Sequence, residues 1–125
     1  MIDLRGQQPA VRTLAMPGDA NPSGDIFGGW ILAQMDIAAG IAAYIRAKGR
    51  VATVAVDAMT FHQPVLVGDV VSCYAQVARV GRTSITLLVQ AWAQRPGGEE
   101  IRVTEGHFTC VAIDENRKPR PVPKD

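Results

Sequence analysis

Asp36 is the residue best placed to do chemistry, because it stands about two turns inside an otherwise nearly apolar run from Trp30 to Ile45. At helical spacing its neighbours are Leu32, Ala33, Ala39 and Gly40, so no local cation is there to pair with it. A carboxylate enclosed by such residues needs partners from elsewhere in the fold. A structural hydrogen bond or a solvent-facing edge would serve equally well, and composition does not choose. Just ahead of the run, Phe27-Gly28-Gly29 is either an ordinary glycine turn or a helix start whose free N–H groups hold a carbonyl oxygen or phosphate. Asn21 opens an Asn-Pro-Ser-Gly turn, where an Asx-turn role competes with a catalytic one.

Other chemistries lack their residues. His62, His107, Cys73 and Cys110 fall in no HExxH or CxxC spacing, which argues against a catalytic metal or a zinc ribbon. The chain has no GxSxG elbow, GxxxxGK[ST] loop or GxGxxG fingerprint, so the matching hydrolase, nucleotide and dinucleotide sites are not expected. Arg79, Arg82, Lys118, Arg120 and Lys124 are the cations able to grip a phosphate locally, although each separately fits plain surface charge.

The elements that must position these residues follow from periodicity. Val11 to Met16 reads as a short strand and residues 17–25 as a loop dense in turn formers. Gly29 to about Lys48 reads as a helix, apolar almost all round and rich in alanine, which asks to be enclosed as by a curved sheet. Beyond Gly49 the period falls to two and predicts a long strand from Val51 to Phe61. Strands at Val70 to Val80, Thr83 to Gln94 and Ile101 to Ile113 follow, joined by turns short enough for hairpins. This order predicts an α+β fold with a mostly antiparallel sheet. Leu87, Val89, Ala91, Ala93 and Val77 break strict alternation, which leaves sheet surface for a second copy to cover. Prolines 119, 121 and 123 predict an extended C-terminal arm at about 115–125.

Composition bounds the whole. The 125 residues suit one domain, 1–125, and 47% hydrophobic against 20% charged residues is a globular balance. Thirteen Lys and Arg against twelve Asp and Glu give a net charge of +1, which argues against nucleic acid and anionic membrane as partners. Both cysteines sit in apolar surroundings as expected buried thiols, and the polar start has no signal-like apolar segment, so a cytoplasmic location is the expectation. The Trp30 to Ile45 run, shorter than about 20 residues and interrupted by Gln34 and Asp36, is not expected to span a membrane.

Asn21-Pro-Ser-Gly-Asp-Ile-Phe-Gly-Gly-Trp-Ile-Leu-Ala-Gln-Met-Asp36 closely resembles the opening motif of bacterial hotdog-fold acyl-CoA thioesterases, the YciA-like group above all. The likeness continues through Val56 to Phe61, Pro64 to Val71, Val80 to Ser84, Phe108 to Asp114 and Lys118 to Pro121. Together these cover roughly residues 12–123 in order.

The resemblance implies a hotdog fold, a curved antiparallel sheet around one long helix, in a homodimer whose sheets join edge to edge, with a trimer of dimers beyond it. It implies hydrolysis of acyl-CoA to a free acid and CoA, with no cofactor because CoA is part of substrate and product. Asp36 then stands in the position of the helix carboxylate, as general base or nucleophile. Asn21 of the partner subunit, and the N–H groups of Gly28 and Gly29, would meet the thioester. CoA phosphates are expected near Arg82, Lys118 and Arg120, and pantetheine near the hydroxyls of Thr60, Thr83 and Ser84. Acyl preference would depend on how Trp30, Met35, Met59 and Phe61 converge across a subunit interface. Asp57 is expected to be non-catalytic. A hotdog dehydratase or hydratase is disfavoured by the Asn21 to Asp36 motif, and a CoA-binding or acyl-sensing module without turnover is the remaining alternative.

Overall fold

The computed structural model describes residues 2–125. Strand β1 (Val11–Leu14) is followed by a loop, the helix α1 (Gly28–Ala47), and strands β2 (Val51–Val56), β3 (Val70–Val80), β4 (Ser84–Gln94) and β5 (Glu100–Ala112). All pairs are antiparallel, in the sheet order β1-β3-β4-β5-β2. This is the expected α+β hotdog arrangement, with a curved sheet packed around one helix. Period-two patterning located β3, β4 and β5 to within a residue of their observed limits.

Small side chains join the helix to the sheet. Ile31, Met35, Ala38, Ala39, Ala43 and Ala47 are buried at spacings that share one helix face, and alanines let the helix axis come close. Ile85, Leu87, Val89, Ala91 and Ala93 alternate along β4 and are fully buried in the same core, so they are not the uncovered surface expected for them. Val77, further out on β3, is exposed. Cys73 and Cys110 are buried free thiols, and burial pushes the Cys73 thiol up to about 12. By length and composition α1 passes the test for a membrane span, yet its buried face is the core of this sheet.

Two expectations need correction. First, the sheet encloses α1 on one side only: Leu32, Ile37, Ile41, Tyr44 and Ile45 remain exposed, the last at 69%. Second, β2 ends at Val56 rather than Phe61. The Asp57 carboxylate accepts the His107 backbone N–H at 2.8 Å through Oδ1, and its Oδ2 lies 3.0 Å from His107 Nδ1. Residues 57 and 62 bond to positions 107 and 103 of β5, so this edge carries one residue more than its partner and bows outward. Met59 fills the space above Gly106, where any Cβ would fall 2.7 Å from its Cγ. The polar start, for which the sequence suggested no structural role, packs Leu4 with Tyr74, Leu88 and Trp92 on the outer sheet face. The C-terminal arm lies against the body of the fold: Val122 is buried and donates its N–H to the Arg82 carbonyl at 2.8 Å.

Gln90 secures that outer layer. Fully buried, it accepts from Leu4 N at 3.0 Å and Trp92 Nε1 at 3.1 Å, and donates to the Ile2 carbonyl at 2.7 Å and to Glu105 at 3.0 Å. Arg5 stacks 3.8 Å above the Trp92 ring, closing the lid. Gln90→Leu would leave the buried Leu4 and Trp92 donors unpaired, and should lower stability by about 1–3 kcal/mol. The urea midpoint at fixed protein concentration measures this, and an unchanged midpoint would show the outer layer to be decorative.

Candidate active site

The helix start is chemically open. Phe27, at the N-cap position, has no side chain that can accept a hydrogen bond, so the first N–H groups of α1 are left for another acceptor. Gly29 has nothing within 4 Å of where a Cβ would stand, whereas Gly28 lies against the Phe61 ring.

Asp36 comes next along the same face. The set 29, 32, 33 and 36 follows the helical repeat and forms one wall of a cavity of ≈ 310 Å³, whose other wall is Thr53 and Val56 of β2 and Phe108 of β5. The Asp36 carboxylate is exposed in the single chain, so the enclosed setting expected for it is not built by its own sheet. It is nevertheless oriented: Thr53 Oγ1 donates to Asp36 Oδ1 at 2.7 Å. Behind Thr53, Cys110 Sγ lies 3.7 Å from the same hydroxyl. Burial pushes the Cys110 thiol up, the Thr53 hydroxyl opposes this, and the Asp36 charge adds to it.

Asn21 occupies a second cavity, with Asp25, Gly28, Phe61 and Gln63 among its lining. Its Oδ1 accepts from Ser23 N at 2.9 Å and Asp25 N at 3.2 Å, so the Asx turn is real. That turn uses only the oxygen and leaves the side-chain amide as a donor. The structure therefore groups Asn21 with Gly28, and Asp36 with Gly29.

The expected phosphate contacts separate. Arg120 is committed to the fold, donating from Nε to the Ile113 carbonyl at 3.0 Å and from Nη2 to the Ala47 carbonyl at 3.1 Å, where it caps the end of α1. Lys118 is exposed on the turn held by Asp114. Arg82 is exposed and lines a cavity with Lys124, grouped with it in the sequence, and with Arg46, which was not. Thr60 gives its backbone carbonyl to Thr104 Oγ1, while Thr83 and Ser84 sit half-buried at the β3–β4 turn. Within the single chain the four residues tied to acyl preference lie apart: Met35 is core, Met59 covers Gly106, Phe61 lines the Asn21 cavity and Trp30 packs at the core edge.

Thr53, the hydrogen-bond partner of Asp36, was passed over in the sequence. Its only local signal was a place in the alternation of β2, because contact with Asp36 depends on how the helix lies across the sheet. Val56 and Phe108 were quoted within longer segments without a role.

A sequence profile of the thioesterase superfamily matches residues 23–99, more than half of the chain. The chain belongs to the thioesterase superfamily. Within it, the chain is a YciA-like hotdog protein. It is 51% identical over 117 residues to the acyl-CoA thioester hydrolase YciA of Salmonella typhimurium, covering 90% of this chain and 88% of that one. The hexameric thioesterase y2039 from Yersinia pestis superposes with a TM-score of 0.91 at 51% identity, covering 94% and 97% of the two chains. Cj0915, a hexameric hotdog-fold thioesterase of Campylobacter jejuni, gives 0.90 at 42% identity, covering 94% and 92%. Acyl transfer in general is served by a positioned base or nucleophile and by fixed donors for the developing oxyanion.

Proposed function

We propose that this chain hydrolyses acyl-CoA thioesters to a free carboxylic acid and CoA, at sites shared between two copies. The observation that carries this reading is the Asp36 carboxylate, held by Thr53 at an apolar cavity that also reaches Gly29.

Distance argues for sharing. Gly28 and Asp36 are eight residues apart, about 12 Å along a helix that rises 1.5 Å per residue. A carbonyl cannot be attacked by Asp36 and accept from Gly28 N–H of the same chain across that gap, since each contact spans about 3 Å. The donors therefore come from Gly28 and Asn21 of the partner subunit, with Gly29 close by. The β2 edge supplies the junction: it lies at the end of the sheet, Val54 is 59% exposed, and the uncovered stripe of α1 runs alongside. Pairing β2 with its copy continues the sheet and covers the apolar helix face. The Yersinia pestis and Campylobacter jejuni relatives are hexameric, and we extend this to a trimer of dimers here.

In the reaction Asp36 either takes a proton from water or attacks the carbonyl to give a mixed anhydride. Negative charge grows on the carbonyl oxygen, where fixed N–H donors stabilise the transition state more than the ground state. CoA leaves as a thiolate, which needs little proton assistance near a thiol pKa of about 8.5. The CoA phosphates are placed at Arg82, with Lys118 nearby on the arm, and pantetheine along Thr60, Thr83 and Ser84. No cofactor enters, and a cytoplasmic setting suits both the substrate and the free thiols.

Thiol release measured across acetyl-, hexanoyl-, decanoyl-, palmitoyl- and benzoyl-CoA tests the reading; tight CoA binding without turnover of any ester would favour the sensing module instead. Thr53→Val should lower kcat about tenfold, because a hydrogen bond to a charged group contributes about 1.5–3 kcal/mol and part of it orients the attack. An unchanged kcat would make Thr53 a packing residue. One turnover in oxygen-labelled water, followed by mass analysis of the peptide containing Asp36, separates nucleophile from base.

A further inference from the structure

We propose that the trough beside Asp36 holds the acyl chain, and that Ala33 and Phe108 set the chain length it accepts. This rests on the thioester-hydrolase reading above. Apart from Asp36 and Thr53, the lining side chains are hydrocarbon or hydrogen. The Thr53 hydroxyl is already given to Asp36, so no other polar side chain faces the rest of the space. A cavity with one charged end and an otherwise apolar wall matches a reacting ester joined to a hydrocarbon tail.

Shape narrows the class. Val56 and Phe108 are directly opposed across the β2–β5 pair, an aromatic and β-branched couple that makes a stiff wall. Phe108 is fully buried and closes the inner side. On the helix, Ala33 lies between Gly29 and Asp36 and faces the same space, so its small side chain leaves the trough open. The volume of ≈ 310 Å³ is roughly twice the ~150 Å³ that accommodates benzene. In the single chain this is an open groove, so chain length is set by its walls, Ala33 on one side and the Val56–Phe108 couple on the other, rather than by the volume.

The test compares kcat/KM over acetyl-, butanoyl-, hexanoyl-, decanoyl- and palmitoyl-CoA for the native protein, Ala33→Leu and Phe108→Leu. Leucine is a strong helix former, and position 33 is exposed in the single chain, so Ala33→Leu should fold. It should reduce the ratio of hexanoyl to acetyl kcat/KM at least tenfold, since even one methylene of fit is worth about 1–3 kcal/mol. Phe108→Leu should move the optimum toward longer chains; its folding is checked by circular dichroism, and Ala33→Leu alone suffices if it unfolds. An unshifted profile in folded Ala33→Leu overturns the proposal, as does a uniform rise in KM for every ester and for CoA, which would place pantetheine in the trough. Absence of turnover by the native protein would instead defeat the hydrolase reading itself.

Discussion

Replacing Asp36 by alanine or asparagine is expected to lower kcat/KM by about 100- to 10,000-fold, the range that a positioned acid–base group contributes. Both variants are needed. Alanine removes the group, whereas asparagine keeps the shape and can still accept the Thr53 hydroxyl seen at 2.7 Å, yet it carries no negative charge for attack or proton removal. The loss should appear in kcat with KM little changed, because the carboxylate acts in the transition state rather than in holding CoA. Folding should survive, since Asp36 is exposed in the single chain and makes no ion pair among the described residues. Turnover close to native in both variants would remove Asp36 from the chemistry.

The second large effect concerns a backbone atom. Gly28→Pro deletes one N–H at the first position of α1, where proline is well tolerated. The preceding residue permits it, because Phe27 has φ −57 and ψ 137, the extended region that a following proline demands. A Cβ at position 28 meets the Phe61 ring at 3.6 Å, an ordinary contact. Stability should hold or rise slightly, while kcat should fall about 100- to 1,000-fold, as when one oxyanion donor is lost. Gly28→Ala, which keeps the N–H, should fall by far less. Mixing the two defective proteins, Asp36→Ala and Gly28→Pro, should restore about a quarter of native activity after subunit exchange: half the dimers are mixed, and each holds one intact site. No recovery despite demonstrated exchange would place Asp36 and Gly28 in the same site of one chain.

Much of the fold was legible in the chain itself. The limits of α1 and of the three long strands follow from apolar spacing, which is a local property carried by adjacent residues. The end of β2 was not legible, because it depends on one surplus residue relative to β5 and on the Asp57–His107 bonds, fifty positions apart. The outer layer under Leu4 escaped for the same reason, since its organiser, Gln90, lies on a strand eighty-six positions away.

The candidate site divides along the same line. Sequence alone determined that Asp36 sits on a helix without a local cation, that glycines open that helix, and that the family motif runs from Asn21 to Asp36. Tertiary structure alone decided that Thr53 orients the carboxylate, that Arg120 caps α1, and that Asn21 and Asp36 face different cavities. Secondary structure is set by neighbours within a few residues. Which side chains meet is set by strand register and helix placement, and a slip of one residue would turn Thr53 to the other face of the sheet.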